Sequence, residues 1–205
     1  MNMHLYSAKQ GEELVKAARS SIELFIINPR FNKKIVVDSI AHFSEKHGVF
    51  VTLEFYPTKE LRGCIGFPNA VASLNESIVD AAIAAAFEDP RFVPVSKREL
   101  DSLVVEISLL SKPELIKGGS RNRLNSIKVG RDGIIVEYGM YSGLLLPIVA
   151  VEQHWDKKTF LEQACVKAGL SPNYWSQPNV NVYSFQTQVF HEDTPLGKVS
   201  EVMLE

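Results

Sequence analysis

Between Gly48 and Phe190 the chain sets out one order of textures twice: strand, turn, strand, helix, strand. In the first copy GVFVTLEFY is rich in β-branched and aromatic residues, Pro57-Thr58-Lys59-Glu60 turns, and Leu61 to Phe67 is a second apolar run. Ser73 with Glu76 then forms a capping box ahead of Leu74, Ile78, Ala81, Ala82 and Ala85, and Asp89-Pro90 stops that helix. In LVVEISLL, Val105, Ile107 and Leu109 alternate with Glu106 and Ser108 as in a half-buried strand. The second copy reads IKVG, the turn Arg131-Asp132-Gly133, IIVEY, a turn through Gly139 to Gly143, and LLLPIVAV. A helix capped by Asp156 and stopped by Gly169 follows, and NVYSFQTQVF closes the copy. No residue-level repeat accompanies this pattern. It predicts an α+β single domain of two similar lobes sharing a mixed or barrel-like sheet, with a cleft between them. The lobes are expected at about 1–111 and 112–192, followed by a loose tail over 193–205.

Ahead of the duplication, Ser7 with Gln10 caps a helix whose apolar positions Leu14, Val15, Ala18, Ile22 and Phe25 run up to Asn28-Pro29. A shorter helix is expected over 35 to 47, closed by a left-handed Gly48. Residues 112 to 131 read as a loop carrying Lys112, Lys117, Arg121, Arg123, Lys128 and Arg131. That basic loop is a weak argument for nucleic acid, because 22 Lys and Arg against 24 Asp and Glu give a formal net charge of −2. No secretory-signal pattern opens the chain, and no apolar run approaches the roughly 18 residues of a membrane span. The only cysteines, Cys64 and Cys165, have unlike contexts, which fits a reducing compartment. A cytoplasmic protein without a membrane partner is expected.

Phosphate loops, dinucleotide fingerprints, His-Glu-x-x-His and Cys-x-x-Cys are all missing from the sequence, and five scattered histidines lack ligand spacing. No metal site and no cofactor are predicted. What remains is Leu61-Arg62-Gly63-Cys64-Ile65-Gly66, a thiol between two glycines with a cation two residues away. Gly63 and Gly66 would let a ligand or another backbone approach, and Arg62 could hold an anion and lower the Cys64 pKa. The plainer reading makes Cys64 a small buried hydrophobe and the glycines a packing device. In Asp89-Pro90-Arg91-Phe92, Asp89 could orient a guanidinium while Arg91 and Arg62 converge on one carboxylate or phosphate; otherwise the segment is a stiff helix exit. Tyr141 and Ser142 are placed in a turn, with Glu152, Trp155 and Asp156 after it, and Cys165 lies on an apolar helix face.

LRGCIG, DPRF, VGRDGIIVEYG, YSGLLLP and the Glu152, Trp155-Asp156 region, in order from about Gly48 to Phe190, resemble the AMMECR domain family. The resemblance implies an α+β fold of two related subdomains and a functional cleft lined by LRGCIG, with no assigned reaction. It points at Arg62, Gly63, Cys64, Gly66, Asp89 and Arg91, and it implies a shared pathway with Memo-like and radical S-adenosylmethionine proteins. This chain departs from the family pattern at Ile148, where relatives often carry a glutamine or glutamate. Residues before Gly48 correspond poorly to the family.

Two functions compete. In one, the protein is a cleft-bearing binding module for a small anionic ligand, a peptide or a partner protein. In the other it is an enzyme with Cys64 as nucleophile and Arg62 and Arg91 as anion clamp, for which His154 is a candidate base.

Overall fold

The computed structural model describes residues 4–69 and 71–202. Its helices are α1 (Ala8–Ile27), α2 (Lys34–Ser39), α3 (Leu74–Phe87), α4 (Ser120–Ser126), α5 (Pro147–Glu152) and α6 (Lys157–Lys167). Its strands are β1 (Gly48–Phe55), β2 (Glu60–Phe67), β3 (Leu103–Leu110), β4 (Glu114–Leu115), β5 (Asp132–Tyr138), β6 (Tyr141–Leu145), β7 (Asn181–Glu192) and β8 (Val199–Val202). The fold is α+β as expected, and the strand pairs β1 with β2, β1 with β3, β4 with β7, β5 with β6, β5 with β7 and β7 with β8 are all antiparallel, with no mixed pairing among them. No helix among the described residues is long and apolar enough to cross a membrane.

The chain folds into two compact units, one of residues 4–110 with 188–202 and the other centred on 111–187. In the first, α1 and α3 pack with β1, β2 and β3 around Leu14, Ile22, Val51, Leu53, Ile78, Ala82, Ile107 and Phe190. The predicted caps form: Ser7 and Gln10 make their reciprocal box, and the Ser73 N–H donates to Glu76. The expected helix over 35 to 47 is corrected: α2 stops at Ser39, whose hydroxyl donates to the Val36 carbonyl. The reason lies in α3, whose first amides draw on this segment, Leu74 N–H to the Glu45 carbonyl (2.8 Å) and Asn75 N–H to that of Phe43 (3.1 Å). Gly48 is no helix cap but opens β1. Nor are residues 193–202 loose. β8 pairs with β7, and Glu192 on β7 forms a buried ion pair with Arg19 while accepting from the Val105 N–H. Residues 203–205 of the expected tail lie outside the described residues.

In the second unit β5 and β6 form a hairpin with a two-residue turn, Gly139-Met140, so Tyr141 and Ser142 open β6 and are not turn residues. Gly139 takes the positive φ of 59° that the turn requires. LLLPIVAV is no single strand: Pro147 stands at the first turn of α5, where its missing N–H leaves no bond unmade. IKVG is not a strand, and the loop expected over 112 to 131 contains β4 and α4. Arg123 of α4 is buried and donates to the carbonyls of Trp175, Gln177 and Val180. The Asp156 cap and Gly169 stop of α6 are as predicted, with Gly169 N–H to the Val166 carbonyl and Leu170 N–H to that of Cys165.

Candidate functional site

β2 has β1 as its neighbour on one side and, among the described residues, no strand on the other. Opposite β1 the pairs run Leu53–Gly63, Thr52–Cys64, Val51–Ile65 and Phe50–Gly66, but Glu54 pairs with Leu61, so Arg62 is the extra residue of a β-bulge. The bulge breaks the two-residue count that would put Arg62 and Cys64 on one face. Arg62 is only 4% exposed. Its Nε donates to Glu99 Oε1 (2.8 Å) and its Nη2 to the Val93 carbonyl (2.9 Å). Glu99 turns its other oxygen to the Ser96 N–H and hydroxyl. Arg62 pulls the Glu99 pKa down to about 2.

Cys64 turns its backbone away from β1. Its N–H donates to Asp89 Oδ2 (2.9 Å) and its carbonyl accepts from Arg91 Nη2 (3.2 Å). Asp89 and Arg91 therefore occupy the place of a neighbouring strand and close the sheet edge there. Arg91 also holds Asp89 through two parallel bonds, Nε to Oδ1 (2.9 Å) and Nη2 to Oδ2 (2.7 Å). These bonds hold the buried Asp89 carboxyl well below the usual range and raise the Arg91 pKa. The two guanidinium groups flank Phe92, at 5.8 Å from its ring centre for Arg62 and 5.5 Å for Arg91. Each already has a carboxylate of its own. They differ in access, since the Arg91 side chain is 53% exposed and that of Arg62 5%.

The Cys64 thiol accepts from the Thr52 hydroxyl at 3.3 Å. Burial pushes its pKa up, and the Thr52 hydroxyl and the Arg91 charge offset this only in part. Protein fills the room at both glycines. A Cβ on Gly63 would stand 2.1 Å from the Ala85 carbonyl of α3, and one on Gly66 2.3 Å from the Phe50 ring. Both cysteines are free thiols, and Cys165 is buried in the core of the second unit.

Arg62, Gly63, Cys64, Gly66, Asp89 and Arg91 are thus brought together in the first unit. Tyr141, Ser142 and Glu152 belong to the second, exposed on β6 and at the end of α5. Ile148 is the second residue of α5. Among the described residues no group of three His, Cys, Asp or Glu side chains could hold a metal ion. Sequence reasoning missed Glu99 and Thr52. Glu99 lies 37 residues from Arg62 and Thr52 lies 12 from Cys64, with nothing local to link either pair.

A family model described as AMMECR1 matches residues 15–190. Protein MJ0810 of Methanocaldococcus jannaschii is 48% identical over 204 residues, covering 98% of this chain and all of that one. A protein of Thermococcus gammatolerans is 50% identical over 200 residues, 96% of this chain and 97% of its own. The crystal structure of the uncharacterized protein PH0010 from Pyrococcus horikoshii matches with a TM-score of 0.88 at 46% identity, covering 96% of this chain and 98% of that one. These matches reach well before Gly48. They overturn the expectation that α1 and α2 stand apart from the family.

Proposed function

The chain belongs to the AMMECR1 family, and on that footing we propose that it is a non-catalytic binding module that takes an anionic group at Arg91. The observation that carries this reading is a guanidinium fixed by two bonds to the buried Asp89 yet half open to solvent. Three of its five N–H groups are engaged; those on Nη1 have no partner among the described residues. A cation already held in place loses little freedom when it binds, so it favours a planar carboxylate or a phosphate. Arg62 contributes by fixing Phe92 and the chain at Val93, not by touching ligand. The enzyme alternative draws less support, because the Cys64 thiol is pushed toward its neutral form, in which it is a poor nucleophile. Free cysteines fit the cytoplasm as the place of action, and Memo-like and radical S-adenosylmethionine proteins are the partners to try first.

The test is mass spectrometry of molecules retained by the purified protein, alone and with a Memo-like partner, followed by affinity measurements on variants. Arg91→Ala is expected to weaken binding of a retained anion by about 10- to 100-fold, the loss of a charge-assisted hydrogen bond, and Cys64→Ser to leave it within about threefold. Equal affinity in Arg91→Ala and the parent protein would refute the reading.

A further inference from the structure

We propose that the β2 edge beside Arg91 receives the C-terminal end of an extended peptide. Its carboxylate lies on Arg91, its penultimate residue pairs with Gly66, and an apolar side chain third from the end enters the cavity beside Phe67. This deepens the anion-binding reading of Arg91 and rests on it.

Three observations converge. The first is a short open edge. In an antiparallel pair, residues two apart turn their backbone groups to the same side. Cys64 turns its N–H and carbonyl outward to Asp89 and Arg91, so Gly66, two residues on and in regular register, also turns its own outward. Among the described residues those groups of Gly66 have no partner. Unpaired edge groups are what an added strand binds. The edge is closed at Cys64 on one side, and Pro68, which lacks an N–H, follows β2 on the other. One residue of open edge cannot hold a long strand, but it suits the end of a chain.

The second observation is charge. A peptide lying antiparallel to β2 runs from Gly66 toward Cys64 and meets Arg91 with its C-terminus, whereas a parallel peptide would bring its ammonium group to the same guanidinium. Arg91 therefore selects the antiparallel direction. The residue opposite Gly66 can be followed by only one more before Asp89 and Arg91 block the edge, which makes it the penultimate residue.

The third is a cavity of about 310 Å³ lined by Phe67, Pro68, Val71, Ala72, Ser77 and Asp80. Val71 is 76% exposed and Phe67 39%, as apolar walls that a ligand would cover. Phe67 faces α3 at this point, so the peptide residue opposite it, third from the end, points its side chain into the cavity. The volume is at the low end of ligand pockets, roughly 300–1,000 Å³, and suits one aliphatic side chain better than a large cofactor.

The test uses acetylated, dye-labelled hexapeptides of serine and threonine with leucine third from a free C-terminus, titrated with the whole protein by fluorescence anisotropy. The free acid should bind with a measurable Kd below about 1 mM, a floor for weak specific binding. Removing the carboxylate as a C-terminal amide, N-methylating the penultimate amide, or changing the leucine to serine should each weaken it about tenfold, the value of one good interaction. The Arg91→Lys protein should lose the preference for acid over amide. Unchanged affinity of the N-methyl peptide overturns strand pairing while leaving anion binding at Arg91 standing. An amidated peptide ending in aspartate that binds as well as the free acid assigns the carboxylate to a side chain and overturns the chain-end proposal. If no hexapeptide binds, the peptide proposal falls, whereas an anion retained through Arg91 would still support the binding module. The amide and N-methyl comparisons use the unaltered protein, so no folding defect can imitate their result.

Discussion

Gly63→Ala separates packing from ligand access at the LRGCIG strand. The added Cβ would stand 2.1 Å from the Ala85 carbonyl oxygen and 3.1 Å from its carbon. Bringing the Cβ out to an ordinary contact of about 3.4 Å requires β2 and α3 to part by roughly 1.3 Å, in a core where packing leaves little slack. Both obstacles are backbone, so no rotamer change relieves them. Overpacking of this kind costs about 3 kcal/mol, and the lower chain entropy of alanine returns about 0.5–1 kcal/mol, leaving a net loss of about 2 kcal/mol. For a chain of this length that lowers the Tm by about 4–8 °C. Thermal unfolding followed by circular dichroism, with Gly119→Ala as control, measures it. Gly119 has nothing within 4 Å of an added Cβ and a φ of −82°, so its substitution should shift Tm by less than about 2 °C. If Gly63→Ala melts with the parent protein and loses only ligand binding, the room at Gly63 belongs to a ligand and the packing argument is wrong.

Acid should expose the Asp89 fastening. Its folded pKa lies below the unfolded value of about 3.9, so its contribution is fully present above about pH 5 and fades as pH falls. Urea midpoints should therefore drop more steeply toward pH 3 in the parent than in Asp89→Asn, which starts about 1–3 kcal/mol less stable at pH 7; parallel pH profiles would count against the role. Alkylation of Cys64 should titrate with a pKa above the ordinary thiol value of about 8.5, and a value below 8 would restore the activated thiolate. Arg123→Lys replaces two separated donor nitrogens, Nη1 to Trp175 and Gln177 and Nη2 to Val180, by a single one and should cost about 2 kcal/mol, read as a lower urea midpoint; an unchanged midpoint would show that the spread of the guanidinium contributes nothing to stability.

What the sequence made legible was local. Ser7 with Gln10, Ser73 with Glu76, and Asp156 bond to amides or side chains three residues on, and so announce their helices. Pro147 was a legible start of α5 that apolar texture concealed. The misreadings came from bonds that span the chain. α2 ends early because residues 43 and 45 cap a helix beginning at 74. The helix α4 was hidden because its buried Arg123 finds its acceptors 52 to 57 residues away. The bulge at Arg62 is a matter of register against β1, which no reading of LRGCIG alone could supply, and with it Arg62 is buried and parted from the face of Cys64.

The duplication adds a comparison that isolates the unusual part. In the second unit Gly143 of β6 meets α6 as Gly63 meets α3, with an added Cβ 2.5 Å from the Ala164 carbonyl and from the Ala168 nitrogen. A glycine in the second hairpin strand, pressed against helix backbone near the helix C-terminus, is therefore a property of the architecture, since both copies have it. Among the described residues the fastening of the strand edge is not duplicated. Asp89 follows Ala85 by four residues, and four residues after Ala164 stands Ala168, followed by Gly169 and Leu170 in the helix stop, with no acid or arginine to bond an open strand edge. If LRGCIG and DPRF served folding alone, the second unit would need their equivalent, and it folds around the same glycine contact without one. The second unit has a carboxylate-held arginine of its own, Arg131 on the buried Asp132, but that carboxylate fastens the turn at Lys128; among the described residues only the first unit sets such a pair, with its arginine half exposed, at the end of an open strand edge.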